Sequence, residues 1–89
     1  PERALEIGLY NKVVDASDVR DEARALAERL ARGPSLALAM TKELLDREAA
    51  MDLDPALELE AEVQAICMQD PNFRAFYDAF QAKRKPVFT

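Results

Sequence analysis

The feature that most constrains the fold is a stripe of aromatic residues near the carboxyl end. Four rings recur at positions i, i+3, i+4 and i+7, namely Phe73, Phe76, Tyr77 and Phe80. This spacing places side chains on one face of an α-helix. The basic run Lys83-Arg84-Lys85 follows, and then Pro86, which with the residue before it resists helix formation. The pattern predicts a terminal helix that ends before Pro86.

Two residues of this helix can serve a ligand together. Phe80 and Lys83 are three positions apart, and side chains at that spacing share a helix face. A ring beside an ammonium suits something flat and negatively charged, such as an adenine next to a phosphate. The other interpretation is that Phe80 packs in the core and Lys83 complements the negative end of the helix dipole.

Turn signals divide the first half of the chain into segments. Residues 1–5 are typical of the end of a helix, with Gly8 as its stop. Residues 9–14 are the only β-like run, and it is too short to form a sheet alone. Ser17 or Asp18 is expected to cap a helix that Gly33-Pro34 ends.

Two further helices are predicted before the terminal one. One runs from Ser35 to about Ala50. Asp54-Pro55 then supplies an N-cap and a proline at the first helical position for a helix that reaches about Gln69. Asp70 or Asn72 caps the terminal helix. About four amphipathic helices with short connections, after a short extended segment near the amino end, predict a single all-α domain over residues 1–89.

Composition excludes several classes of function. The chain has 12 basic and 17 acidic residues, a net charge of -5, which disfavours binding to nucleic acid. It has no histidine, which rules out histidine bases and histidine metal sites within it. Its single cysteine, Cys67, cannot form an internal disulfide and suggests a cytoplasmic location. No apolar run approaches the ~18 residues needed to span a membrane, and no signal segment opens the chain.

Other polar groups are interpreted as surface residues. Glu58 and Glu62 are spaced i, i+4, where like charges repel, so they are expected on a solvated face. Four more acidic residues are interpreted as helix caps and dipole partners instead of metal ligands: Asp15, Asp18, Asp21 and Glu22. Cys67 is expected to fill apolar space.

The end of the chain also resembles a known family. The pattern Phe80-x-x-Lys83-Arg84-x-Pro86-x-Phe88 is similar to the terminal helix of the crotonase superfamily, the enoyl-CoA hydratases and isomerases. Weaker similarities follow the same order along essentially all 89 residues: the stretch 4–14, in which a helix gives way to Gly8-Leu9-Tyr10-Asn11-Lys12-Val13-Val14, the stretch 27–34, Thr41-Lys42 and Leu57-x-x-Glu60-Ala61. The chain departs from the family at 72–76, where many members carry Asp-x-x-Glu-Gly.

The resemblance implies the C-terminal helical region of a larger enzyme that acts on acyl-CoA thioesters. Its catalytic spiral core would precede Pro1, so the resemblance assigns no catalytic residue, metal ligand or cofactor to this chain. Phe80 and Lys83 match family residues that lie against coenzyme A. The helices would pack on their own catalytic core and on neighbouring subunits, as a trimer or a dimer of trimers.

Two questions stay open at this level. An independent helical module that binds a protein partner through the aromatic stripe has the same sequence features without any link to acyl-CoA. Within the family, hydration, isomerisation, hydrolysis and other reactions of the thioester are all compatible with the residues present, as is any acyl chain.

Overall fold

The computed structural model describes residues 1–89, with five α-helices and no β-strand. The helices are α1 (Glu2–Glu6), α2 (Val19–Ala31), α3 (Ser35–Glu48), α4 (Leu53–Gln69) and α5 (Pro71–Gln81). The prediction of an all-α chain is therefore confirmed, including four main helices and the short one stopped by Gly8. No helix combines the length and apolar character that a membrane span requires.

The β-like run forms no strand. Residues 9–14 are irregular and lie beside α2, where the Lys12 ammonium is 2.6 Å from the Glu22 carboxylate. A strand needs a hydrogen-bonded neighbour, and the chain contains no second strand to pair with it. The segment therefore joins α1 to α2 as an irregular connection.

Helix α4 begins earlier than the sequence predicted. Asp52 is the N-cap residue, with φ -71° and ψ 163°, so the prediction that Asp54 is the cap is wrong. Pro55 consequently occupies the third helical position. Proline is tolerated there because the first-turn N–H groups have no partner within the helix.

The helices pack in sequence order. Helix α2 contacts α3, α3 contacts α4, and α4 contacts α5, whereas α1 packs against none of the others. The apolar core between them is small and consists of Leu44 on α3, Val63 on α4 and Ala79 on α5. Each of the helices from α2 to α5 is therefore stabilised by one or two neighbours and leaves a large part of its surface open.

The chain exposes more surface than a globule of its size. Its accessible area is 7687 Å², whereas a compact 10.0 kDa protein would expose about 5,200 Å². Its radius of gyration is 16.9 Å, against about 12 Å for a compact domain of this length. Much of the open surface is apolar and includes Leu30, Leu45 and Leu57. Roughly 2,400 Å² is therefore exposed beyond what a closed fold would leave.

Candidate functional site

Helix α5 begins at a well-formed cap. Asp70 precedes Pro71 at the first helical position, and its Oδ1 accepts a hydrogen bond from the Asn72 N–H at 2.8 Å. Of the two predicted caps, Asp70 is the one that the structure uses. Asn72 lies inside the first turn and is one of the few buried residues.

The aromatic stripe forms as predicted, but it does not enter the core of this chain. All four rings are substantially exposed, and Phe80 is the most open at 68%. Phe80 stacks on Phe76, with ring centroids 6.3 Å apart and planes 23° from parallel. The residue of α5 that is fully buried is Ala79. Within these 89 residues, the interpretation of Phe80 as a core residue is therefore wrong.

Tyr77, another ring of the stripe, has a polar neighbour. The Arg74 guanidinium lies 5.8 Å from the Tyr77 ring centroid and donates to Asp78 Oδ1 at 3.0 Å. This Arg74–Tyr77 contact resembles a surface cation–π pair, and its cation is already paired with a carboxylate. The open part of the stripe is the Phe76–Phe80 stack, nearest the carboxyl end of α5.

Lys83 lies outside the helix, so the expectation that it shares a helix face with Phe80 is wrong. Helix α5 ends at Gln81, and Lys83 has a φ of 52°, in the left-handed region. The two side chains therefore do not share a helix face. They are linked instead through the backbone, because the Lys83 N–H donates to the Phe80 carbonyl oxygen at 3.1 Å.

The turn at Lys83 is a Schellman motif. The Arg84 N–H donates to the Ala79 carbonyl oxygen at 3.0 Å, which completes the pattern with the Lys83–Phe80 bond. The left-handed position of this motif is usually a glycine. A residue with a Cβ atom is disfavoured there by roughly 1–2 kcal/mol. Lys83 is thus held in a conformation that its own side chain opposes.

The basic cluster beside Phe80 has no acidic partner. Lys83, Arg84 and Lys85 are exposed and take part in none of the ion pairs of the chain. Of the other nine basic side chains, six take part in an ion pair, whereas Arg20, Arg29 and Arg32 do not. The paired ones are Arg3, Lys12, Arg24, Lys42, Arg47 and Arg74. Three consecutive free cations on a chain of net charge -5 form a local site for an anion such as a phosphate.

After the turn the chain folds back along α5. Phe88 lines an apolar recess together with Cys67, Phe73 and Phe76. Thr89 reaches the start of α5, where its N–H donates to Asn72 Oδ1 at 2.9 Å. Asn72 Nδ2 donates in return to the Thr89 carbonyl oxygen at 2.9 Å. The tail is therefore tied at both ends of α5.

The contact between Asn72 and Thr89 has no counterpart in the sequence pattern. The sequence indicates Asn72 only as a possible cap and predicts no role for Thr89. An apolar residue two positions after Pro86 is a weak signal that the tail returns to the helix. The partner of an asparagine 17 residues away has no local signature.

The acidic residues form no second site. Glu58 and Glu62 are exposed, which confirms their assignment to a solvated face. No group of three or more acidic, cysteine or histidine side chains is arranged to hold a metal ion. Cys67 is half-buried in the recess beside Phe88, in agreement with a packing role.

Comparison with protein families gives one match over the whole chain. The model of the enoyl-CoA hydratase/isomerase family matches residues 1–89. The 1,2-epoxyphenylacetyl-CoA isomerase of Escherichia coli K12 is 35% identical over 99% of this chain and 34% of its own length. The short-chain-enoyl-CoA hydratase of Clostridium acetobutylicum is 32% identical over 94% of this chain and 32% of its own length.

A solved structure shows the same arrangement of helices. The crystal structure of a protein assigned to the enoyl-CoA hydratases/isomerases from Mycobacterium abscessus superposes with a TM-score of 0.97 at 40% sequence identity. The superposition covers 100% of this chain and 34% of that protein. The chain thus spans about a third of the length of the curated relatives that it matches.

Proposed function

Because this chain belongs to the enoyl-CoA hydratase/isomerase family of the crotonase superfamily, we propose that it is the C-terminal helical part of an enzyme acting on acyl-CoA thioesters. In this proposal the Phe80 ring and the Lys83 ammonium bind the nucleotide end of coenzyme A. The remaining apolar surfaces of the helices pack on the catalytic core and on neighbouring subunits. The reacting groups of the enzyme lie outside these 89 residues.

The observation that carries the proposal is an open ring and an unpaired cation in residues joined by a backbone hydrogen bond. The Phe80 ring is 68% exposed, and Lys83 is hydrogen-bonded through its backbone to the Phe80 carbonyl oxygen. Nucleotides present a flat base close to phosphates. A base that stacks on an aromatic side chain gains about 1–3 kcal/mol, and a hydrogen bond to a charged group about 1.5–3 kcal/mol.

The strained backbone of Lys83 supports a role for its side chain. Conformations of this kind persist where the surrounding structure fixes them, and they cluster at ligand-binding positions. A turn needed only to reverse the chain would be more stable with glycine. The lysine at this position adds a charge to a free basic cluster, which favours an anionic ligand.

Replacing Lys83 in the full-length enzyme tests the binding role. We expect Lys83→Ala to weaken the binding of coenzyme A, measured by calorimetry, by roughly 10- to 150-fold, because a charge-assisted contact is lost. Lys42→Ala is a matched control, since Lys42 is exposed and paired only with Asp46. The Lys42→Ala enzyme should bind coenzyme A with the affinity of the wild type. Equal affinities for all three proteins would remove Lys83 from the site.

The open surface supports the second half of the proposal. The roughly 2,400 Å² exposed beyond the area of a compact protein of this mass exceeds the ~800 Å² that each partner buries in an interface of standard size. Apolar side chains occur along α2, α3 and α4 within that surface. Exposed apolar side chains along three helices are typical of a region that is covered in an assembly.

Sedimentation of the 89-residue chain tests whether this surface requires a partner. We expect the weight-average mass to rise with concentration over the micromolar range, because self-association removes apolar area from water. A mass that stays at 10.0 kDa over the whole range would contradict the proposal that these faces are covered in the enzyme.

A further inference from the structure

We propose that Asn72 is a positioning residue for Lys83. By holding Thr89, Asn72 keeps the tail folded along α5 and thereby fixes the left-handed turn that carries the lysine. This inference rests on the proposed binding of coenzyme A by Lys83. It means that a contact at the opposite end of the helix determines the position of the lysine.

The contact between Asn72 and Thr89 is reciprocal. The amide of Asn72 uses both its oxygen and its nitrogen on the backbone of Thr89, with two bonds of 2.9 Å. The pair imitates the double hydrogen bond between facing residues of antiparallel strands. Asn72 is only 6% exposed, so water competes little for these bonds. These two bonds hold the backbone of Thr89 against the first turn of α5.

This Asn72–Thr89 clamp is too far from Lys83 for Asn72 to contact the same ligand group as the lysine. Nine helical steps separate Asn72 from Gln81 at the end of α5, which is about 14 Å along the axis at 1.5 Å per residue. Any influence of Asn72 on the basic cluster must pass through the structure between them. The returning tail, residues 84–89, provides a direct connection.

The turn depends on that connection because its own preferences oppose it. Lys83 has a φ of 52°, which a residue with a Cβ atom rarely adopts unless the surroundings fix it. An apolar contact usually supports a Schellman turn from the residue after the left-handed one. Here that residue is Arg84, which is charged and exposed. The Phe88 recess and the Asn72–Thr89 bonds supply the missing support farther along the tail.

A double-mutant cycle in the full-length enzyme tests this assignment. The four proteins are the wild type, Asn72→Ala, Lys83→Ala and the double variant, and the measurement is the dissociation constant of coenzyme A. We expect Asn72→Ala to weaken binding about 3- to 10-fold when Lys83 is present, the range expected from one net hydrogen bond. In the Lys83→Ala background the same change should have no effect. An equal loss in both backgrounds would overturn the positioning role, because a general loss of structure affects both alike.

A second variant leaves helix α5 intact. Thr89→Pro removes the N–H that donates to Asn72 Oδ1 while keeping the buried asparagine, so it avoids the risk that Asn72→Ala unfolds the helix. We expect it to weaken coenzyme A binding in the same direction, again only when Lys83 is present. Unchanged binding in Thr89→Pro, together with unchanged binding in Asn72→Ala, would overturn the proposal.

Hydrogen exchange separates the clamp from the binding site. The Lys83 and Arg84 amides are bonded within the turn, and we expect both to exchange faster in Asn72→Ala and in Thr89→Pro than in the wild type. Unchanged exchange overturns the clamp whatever the ligand result. Faster exchange combined with a Lys83→Ala enzyme of normal affinity supports the clamp and instead overturns the proposed binding role of Lys83.

Discussion

The first and last helices end in the same hydrogen-bonded turn with different residues. After α1, the Leu9 N–H donates to the Ala4 carbonyl oxygen at 2.8 Å and the Gly8 N–H to that of Leu5 at 3.1 Å. After α5, Arg84 and Lys83 make the equivalent bonds at 3.0 and 3.1 Å. The left-handed residue is Gly8, with φ 77°, in the first turn and Lys83, with φ 52°, in the second.

The difference separates what the backbone requires from what the side chain contributes. A Cβ atom at Gly8 would meet nothing within 4 Å, so glycine is favoured there by its backbone freedom alone. At position 83 a lysine, which lacks the backbone freedom of glycine, occupies the left-handed turn. A residue that makes its turn less stable is retained where its side chain has a use, which agrees with the proposed contact to coenzyme A.

The largest effects on local stability are expected from placing a residue with a Cβ atom at position 8 and a glycine at position 83. Gly8→Ala should destabilise the first turn by roughly 1 kcal/mol, because the strain of the new Cβ atom exceeds the gain from the lower entropy of the unfolded chain. Lys83→Gly should stabilise the second by roughly 0.5–1 kcal/mol, since part of the gain is offset by glycine entropy. Hydrogen exchange of the Leu9 and Arg84 amides in the full-length enzyme reports each turn. A change of 1 kcal/mol shifts the exchange rate by about fivefold.

Lys83→Ala is the control for this pair. It removes the ammonium but keeps a Cβ atom, so the stability of the turn should stay close to that of the wild type. Lys83→Gly and Lys83→Ala should both lose affinity for coenzyme A, although only the glycine variant has a more stable turn. Opposite signs at Gly8 and Lys83 are the essential result. A Lys83→Gly variant with a less stable turn would mean that the lysine side chain itself supports the backbone.

The helices were predictable from the sequence because their signals are local. Gly33-Pro34 ends α2, and Asp70-Pro71 starts α5, as expected from capping and proline chemistry. The error at Asp54-Pro55 arose because proline is accepted at several positions of the first helical turn, so the motif fixes the start of a helix only to within about two residues. The β-like run of residues 9–14 forms no strand because strand formation depends on a partner strand and not on residue type alone.

The site was predictable only in part. The sequence placed Phe80 on an aromatic stripe and Lys83 near it, and both residues stayed in the proposal. The turn that moves Lys83 off the helix could not be derived, because a lysine carries no signal for a left-handed backbone. The bond between Asn72 and Thr89 joins residues 17 positions apart and depends on the return of the tail.

The ends of α3 and α5 extend the comparison from backbone to charge. The carboxyl end of a helix is its negative pole, where cations are favourable. Helix α5 is followed by three cations, Lys83, Arg84 and Lys85, whereas the last residue of α3 is Glu48. Glu48 Oε1 is buried without a hydrogen-bond partner. Partial burial, and then the negative charge of the Glu60 carboxylate, raise the pKa of Glu48 above its usual value.

This arrangement predicts the smallest effect, a pH-dependent one. Since the folded chain raises the pKa of Glu48, it binds the proton more tightly than the unfolded chain does, and stability falls as pH rises through the interval between the two pKa values. Glu48→Gln lacks that loss. Its melting temperature should exceed that of the wild type at about pH 7, and the difference should shrink towards about pH 4, where Glu48 is largely protonated in both states.

Two variants on α4 make the test specific. Glu60→Gln should reproduce part of the gain, because it removes the charge that repels the Glu48 carboxylate. Glu62→Gln, on the same helix at an exposed position with no ion pair, should show no pH-dependent difference. If Glu48→Gln instead lowered the melting temperature at neutral pH, the carboxylate would have a favourable partner. The charge at the end of α3 would then be favourable, as the charges after α5 are.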